Sequence, residues 1–204
     1  MKLTGKKVSE FLRQPDLGVG SVLLYGPDQG LVRERAKLLM LKCVSNPDDP
    51  FAVTEFTGPA LKQDPRLLYD AAYSMSLGGS ASVITIRDAG DYVTETIVGI
   101  FEQHSTAWPI IIEAGDLSPR SGLRKLHENS GEMASIACYP EEGRALESFI
   151  KDFMAEEKLL VEPAAVAFLC ASLAGDRQII RRELEKLSLY CSAKDTQAER
   201  VTEA

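Results

Sequence analysis

The chain has 204 residues, 45% of them hydrophobic and 26% charged, which is enough apolar content to bury a sizeable core in one or two domains. Its formal net charge of −7 argues against tight nucleic-acid binding by the isolated chain, because phosphate contacts draw on surplus Lys and Arg. No apolar run approaches membrane-spanning length, and the segment from Met1 to Lys7 lacks the apolar stretch of a signal peptide, so a cytoplasmic protein with no membrane partner is expected.

The first strand signal is Val22–Tyr25. It runs into Gly26-Pro27-Asp28-Gln29-Gly30 and then into helical spacing over Val32–Val44, which is where a phosphate-binding loop sits in a nucleotide hydrolase. Setting the pattern G-x-x-x-x-G-K-[ST] on Gly26 places Leu31 at the second glycine, Val32 at the lysine and Arg33 at the hydroxyl. Without the lysine nothing reaches the terminal phosphates, and without the hydroxyl nothing from this loop holds magnesium. The chain's one Gly-Lys pair, Gly5-Lys6, precedes the strand and does not restore the motif. By residue content alone Gly26 and Gly30 read as a plain turn, since Pro27-Asp28 is ordinary turn chemistry, and it is the strand-turn-helix context that favours the loop. No cofactor is expected.

Further strands are predicted at Ala52–Phe56, Ser82–Arg87, Pro109–Glu113 and Ala134–Cys138, alternating with helical spacing in Pro65–Met75, Tyr92–His104 and Pro119–Asn129. That alternation implies a five-stranded parallel sheet flanked by helices, an α/β domain ending near Pro140. Asp64 and Ser118 each stand before a proline as helix caps. Leu67, Leu68, Ala71, Ala72 and Met75 form one apolar helical face that should pack on the sheet. The strand at Ser82–Arg87 leads to Asp88 with no Asp-Glu pair to hold magnesium. Basic residues gather at Arg120, Arg124, Lys125 and His127, and again at Arg177, Arg181, Arg182 and Lys186. They read either as solvated helix faces, Arg181 having Glu185 four residues on, or as contacts with DNA or an acidic partner.

From Glu142 the strand signal stops. Helices are predicted at Gly143–Lys158, Pro163–Leu173 and Arg177–Cys191, a small three-helix domain over 141–204. The polar stretch 194–204 reads as the entry to another element, so the chain is expected to be part of a longer protein. Cys43, Cys138, Cys170 and Cys191 lack metal-ligand spacing and are expected as buried reduced thiols, with no metal site.

An α/β domain with a loop in the phosphate position, followed by a three-helix lid, resembles the plan of the AAA+ P-loop NTPase fold. Within it, four segments resemble the delta subunit family of bacterial DNA polymerase III. They are Val22-Leu23-Leu24-Tyr25-Gly26 with its lysine-free loop, the segment from Ile112 to Leu126 with its Leu-x-x-Arg-Ser turn, Cys138-Tyr139-Pro140-Glu141-Glu142, and the helix from Arg177 to Tyr190 entered through Gly175-Asp176. The resemblance implies a clamp-loader subunit that binds and opens the beta sliding clamp and does not hydrolyse ATP, its action gated by ATP bound at neighbouring subunits. Implied partners are the clamp, the gamma/tau and delta-prime subunits and, within the assembly, primed DNA. The chain would contribute to a nucleotidyltransferase holoenzyme without catalytic residues of its own.

The family's clamp contact is a pair of large apolar residues that falls on Leu77 here, with Gly78 where a bulky residue is usual and Met75 or Tyr73 as stand-ins. Leu77 equally reads as a helix-end core residue. At the sensing-arginine position stands Gln178, with Arg177 beside it, and the Ser-Arg-Cys trio of the arginine-finger subunits does not occur. The family's third, collar domain is expected to be absent from this chain. Two other classes stay open: a non-catalytic AAA+-like adaptor for another partner, and an active P-loop nucleotide-binding enzyme.

Overall fold

Six parallel strands form the frame of the first of two compact units, Met1–Cys138. They are β1 (Lys2–Leu3), β2 (Ser21–Tyr25), β3 (Val53–Thr57), β4 (Val83–Ala89), β5 (Ile110–Ala114) and β6 (Met133–Ala137), ordered β1-β6-β2-β5-β4-β3. The computed structural model describes residues 1–16, 18–44, 46, 49, 51–73, 82–102, 106, 109–140, 143–173, 175–193 and 200–201, with 144, 192, 193, 200 and 201 by backbone alone.

The five expected strands lie within two residues of their expected bounds. The sixth, β1, pairs Lys2 with Ser135 and Leu3 with Ile136. Two residues are too few to show a period, which is why the sequence alone yields five strands and not six. Along the wholly buried β2, Val22 and Leu24 face one apolar layer while Leu23 and Tyr25 face the other, so the run reads as continuous where both sheet faces are covered.

On one face pack α1 (Lys6–Arg13) and α2 (Gln29–Cys43); on the other lie α3 (Gly58–Gln63), α4 (Arg66–Tyr73), α5 (Thr94–Glu102) and α6 (Gly122–Asn129). Neither α1 nor α3 is predicted from the sequence. The first buries only Val8 and Phe11, a single turn of signal, and the second is a short helix whose cap, Thr57, accepts from the Ala60 N–H. Leu68 and Ala72 of α4 are buried, but Leu67 is 41% exposed, so the apolar face is narrower than expected. Met75, placed on the same face by the sequence, lies outside the described residues.

Helix α6 begins three residues later than Pro119. Its cap is Ser121, whose Oγ accepts from the Arg124 N–H at 3.2 Å, and the Asp91 carboxylate accepts from the Leu123 N–H at 3.1 Å. Ser118 instead opens a turn closed by the Ser121 N–H on its carbonyl. His127 also departs from expectation: it is wholly buried, not part of a surface basic cluster. Its Nδ1 lies 2.9 Å from the Leu123 carbonyl and its Nε2 2.9 Å from Ser21 Oγ. A carbonyl only accepts, so Nδ1 carries the proton and the Ser21 hydroxyl donates to Nε2. Burial pushes the imidazole pKa down to about 4.

The second unit, Tyr139–Ala204, starts two residues before the expected boundary. Its helices α7 (Arg144–Glu156), α8 (Pro163–Ser172) and α9 (Arg177–Ala193) enclose a separate core of Phe149, Ile150, Phe153, Met154, Val166 and Leu184. Contrary to the all-helical expectation, β7 (Leu160–Val161) and β8 (Arg200–Val201) form a two-residue parallel pair. Helix α7 ends with the Leu159 N–H on the Met154 carbonyl and the Lys158 N–H on the Ala155 carbonyl, which puts Lys158 in the left-handed position at φ 61. Replacing Lys158→Gly relieves that conformation at some cost in unfolded-chain entropy. A gain of about 0.5 kcal/mol is expected in thermal or denaturant unfolding of this unit.

Of the four thiols only Cys138 is buried; the other three are half-buried. Burial raises the pKa of Cys43, Cys138 and Cys170, keeping them in the protonated form. Among the described residues no helix is long and apolar enough to cross a membrane.

Candidate functional site

Where β2 ends, Gly26 turns the chain at φ 152, and its N–H donates to the Gly115 carbonyl at 3.1 Å. A Cβ on Gly26 would stand 2.0 Å from the Cys138 carbonyl oxygen, so this glycine is required by close backbone approach as well as by φ. The next turn opens α2. Asp28, its cap, is 2% exposed, and its carboxylate accepts from the Leu31 N–H at 2.8 Å. Gln29 closes the loop from inside, its Nε2 donating to the Gly26 carbonyl at 2.8 Å and the Ala114 carbonyl at 3.4 Å. Arg35 secures the far side through the Ala137 carbonyl at 3.0 Å.

A helix N-terminus binds anions through its free N–H groups and positive dipole end. Here the chain supplies that anion itself. Val32, at the lysine position, is wholly buried in the core, while Arg33, at the hydroxyl position, is exposed. Gly30 is buried in the first turn of α2. A magnesium triphosphate of the kind an AAA+ loop holds therefore does not fit these residues: the helix end is neutralised by Asp28, and neither the lysine nor the hydroxyl is supplied. The sequence reading of the missing chemistry did not include Asp28. Its signal was an acidic residue directly before an apolar helix, three positions ahead of Leu31.

At the end of β4, a break in register between Ile86 and Ala89 puts Asp88 at φ 53. Its carbonyl accepts from the Tyr92 hydroxyl at 2.7 Å, and Gly58 fits beneath because a Cβ there would meet both groups. Asp88 thus belongs to a bulge at the strand end.

The structure divides the basic cluster of α6. Arg124 has a side chain only 11% exposed; its guanidinium lies over the Tyr25 ring at 4.9 Å, its Nε donates to Glu128 at 2.9 Å and its Nη1 to the Leu117 carbonyl at 3.1 Å. The Tyr25 hydroxyl also donates to Glu128, and Lys2 pairs with it at 3.4 Å. Arg120 and Lys125 are exposed. In the second unit Arg177 stacks on Phe149 at 3.7 Å, Arg181 lies over Phe153 and pairs with Glu185, and Lys186 pairs with Glu183. Of the expected clamp-contact residues, Tyr73 ends α4, 41% exposed, with its hydroxyl donating to the Ile100 carbonyl at 2.9 Å. Met75, Leu77 and Gly78 lie outside the described residues.

No protein-family model matches the chain. Over 172 residues, 84% of its length, it is 23% identical to the probable DNA polymerase III subunit delta of Rickettsia prowazekii, strain Madrid E, and it spans 51% of that relative. In fold it is similar to the DNA clamp loader delta protein of Bacillus subtilis, with a TM-score of 0.64 at 16% identity, covering 97% of this chain and 59% of that one. It is similar as well to the RuvB Holliday junction branch migration motor of Thermotoga maritima, with a TM-score of 0.56 at 18% identity, covering 97% and 64%. These likenesses establish the AAA+ architecture, with six strands in the sheet. Likeness in sequence to one delta subunit and in fold to another thus meet: over most of its length, the chain is similar to the delta subunit of the DNA polymerase III clamp loader.

Proposed function

We propose that the chain acts as a clamp-loader delta subunit that takes no part in ATP hydrolysis, binding the beta sliding clamp and helping to open it for loading onto primed DNA in the cytoplasm. The observation that carries this reading is the loop at the nucleotide position, closed by Asp28 and Gln29 and lacking a lysine because Val32 is core. A motor needs that position for phosphates, whereas a subunit whose task is to hold a partner does not. The sequence likeness to a delta subunit points the same way. The other subunits expected in the assembly are gamma/tau and delta-prime, with ATP acting at those neighbours.

The contact with the clamp is assigned to Leu77, supported by Tyr73 and Met75, with Gly78 leaving the second wedge position without bulk. Arg120 and Lys125, both exposed, are the better candidates for DNA or subunit contact than Arg124, whose guanidinium is engaged within its own unit.

The test is binding of the chain to the sliding clamp of the same source, with and without ATP. Wild type is expected to bind at micromolar or tighter concentration, independently of ATP, and Leu77→Ala to bind about tenfold or more weakly, a loss of about 1.4 kcal/mol. Binding that is strengthened by magnesium ATP would instead favour a nucleotide-dependent enzyme. No binding would move the reading to an adaptor for a different partner.

A further inference from the structure

On the sheet face that carries α2, the side toward β3 and β4 is polar. Glu55 of β3, Thr85 and Arg87 of β4 and Glu113 of β5 line a cleft of about 440 Å³ together with Arg33 and Lys37 of α2. Arg87 is ion-paired with Glu55. Glu113 is half-buried, and burial raises its pKa against the opposing pull of Arg87 and Arg33. Arg33 and Lys37, one helical turn apart and both exposed, repel each other along α2. Thr85 is 6% exposed, and its buried hydroxyl has no hydrogen-bond partner among the described residues. A buried hydroxyl left in that state is costly, and a ligand acceptor would remove the cost.

Among the described residues that line this cleft, three cations face two carboxylates, leaving one positive charge in excess. A single carboxylate balances that excess; a phosphate dianion overshoots it and adds repulsion from Glu113. We propose that the cleft docks a carboxylate side chain from an acidic segment of a partner protein, held between Arg33 and Lys37 with Thr85 as hydrogen-bond donor at the floor. This does not depend on the clamp reading, since it rests on Arg33, Lys37 and Thr85, none of which belongs to the expected clamp contact.

The experiment is an NMR titration of the isotope-labelled full chain with a short Glu-rich peptide, its Gln counterpart and inorganic phosphate. Saturable shifts centred on Arg33, Lys37 and Thr85 are expected with the Glu peptide alone. Binding should weaken about tenfold in the Arg33→Ala, Lys37→Ala double variant and several-fold in Thr85→Val, which leaves the charge unchanged. Shifts spread equally over Lys6, Lys7 and Lys125 would overturn the proposal, because they would mean general attraction to basic surface. So would full binding by Thr85→Val, or phosphate competing more strongly than the peptide.

Discussion

A lysine introduced at position 32 is expected to unfold the first unit and to leave the loop without affinity for ATP. Val32 has no exposed surface and packs in the layer formed by α1, α2 and one face of the sheet, among them Leu24, Ile111 and Ile136. An ammonium carried to that place loses its hydration among apolar side chains, and the nearby Asp28 carboxylate is already engaged by the Leu31 N–H. The effective penalty is several kcal/mol per buried ion, to be set against a total stability on the order of 5–15 kcal/mol. Pairing it with Arg33→Thr completes the lysine-hydroxyl motif on paper but leaves Asp28 on the helix end, so affinity for nucleotide is still expected to be absent. Denaturant unfolding of Val32→Lys and of the double variant, alongside titration with a fluorescent ATP analogue, checks both halves. A stable double variant that binds magnesium ATP would overturn the reading of a loop closed from within.

The second large effect concerns acid. His127 has its pKa lowered in the fold to about 4 from an ordinary value of 6.5, so the unfolded chain binds the proton more readily than the folded one. Stability from this group is therefore complete above pH 6.5, falls as the pH drops, and is fully lost once the pH is below about 4. The total loss is about 3 kcal/mol, of which about 2 kcal/mol should be gone by pH 5, before most carboxylates titrate. Unfolding free energies measured from pH 7.5 to pH 5 should show this slope in the wild type. His127→Gln, which cannot take up the proton, should be less stable at neutral pH yet nearly flat over the same range. An equal slope in both proteins would assign the acid sensitivity to other groups.

The strands were legible because their continuous apolar runs are long enough to stand out between turns, as in Ser21–Tyr25 and Ile110–Ala114. Lys2–Leu3 could not be read, because two residues make no pattern on their own and only pairing with β6 defines them as a strand. Helix starts were misjudged where two caps compete: Ser118-Pro119 carries the stronger local pattern, yet Ser121 wins because Asp91, brought in from another element, joins it at the helix end. His127 and Arg124 look like surface charge in sequence, and only the packing of α6 against β2 turns one toward Ser21 and the other onto Tyr25. The missing lysine was visible from the motif, whereas the reason it cannot simply be restored, a core position at Val32, was not.

The Cys138 carbonyl that leaves no room for a side chain on Gly26 also accepts from the Asp28 N–H at 3.3 Å, while the Cys138 N–H donates to the Tyr25 carbonyl at 2.7 Å. Cys138 is the last residue of the first unit, so the exit of the chain is riveted to the same turn that a motor would use to read its fuel. Tyr139, the first residue of the second unit, stands before Pro140, which narrows its choice of backbone angles.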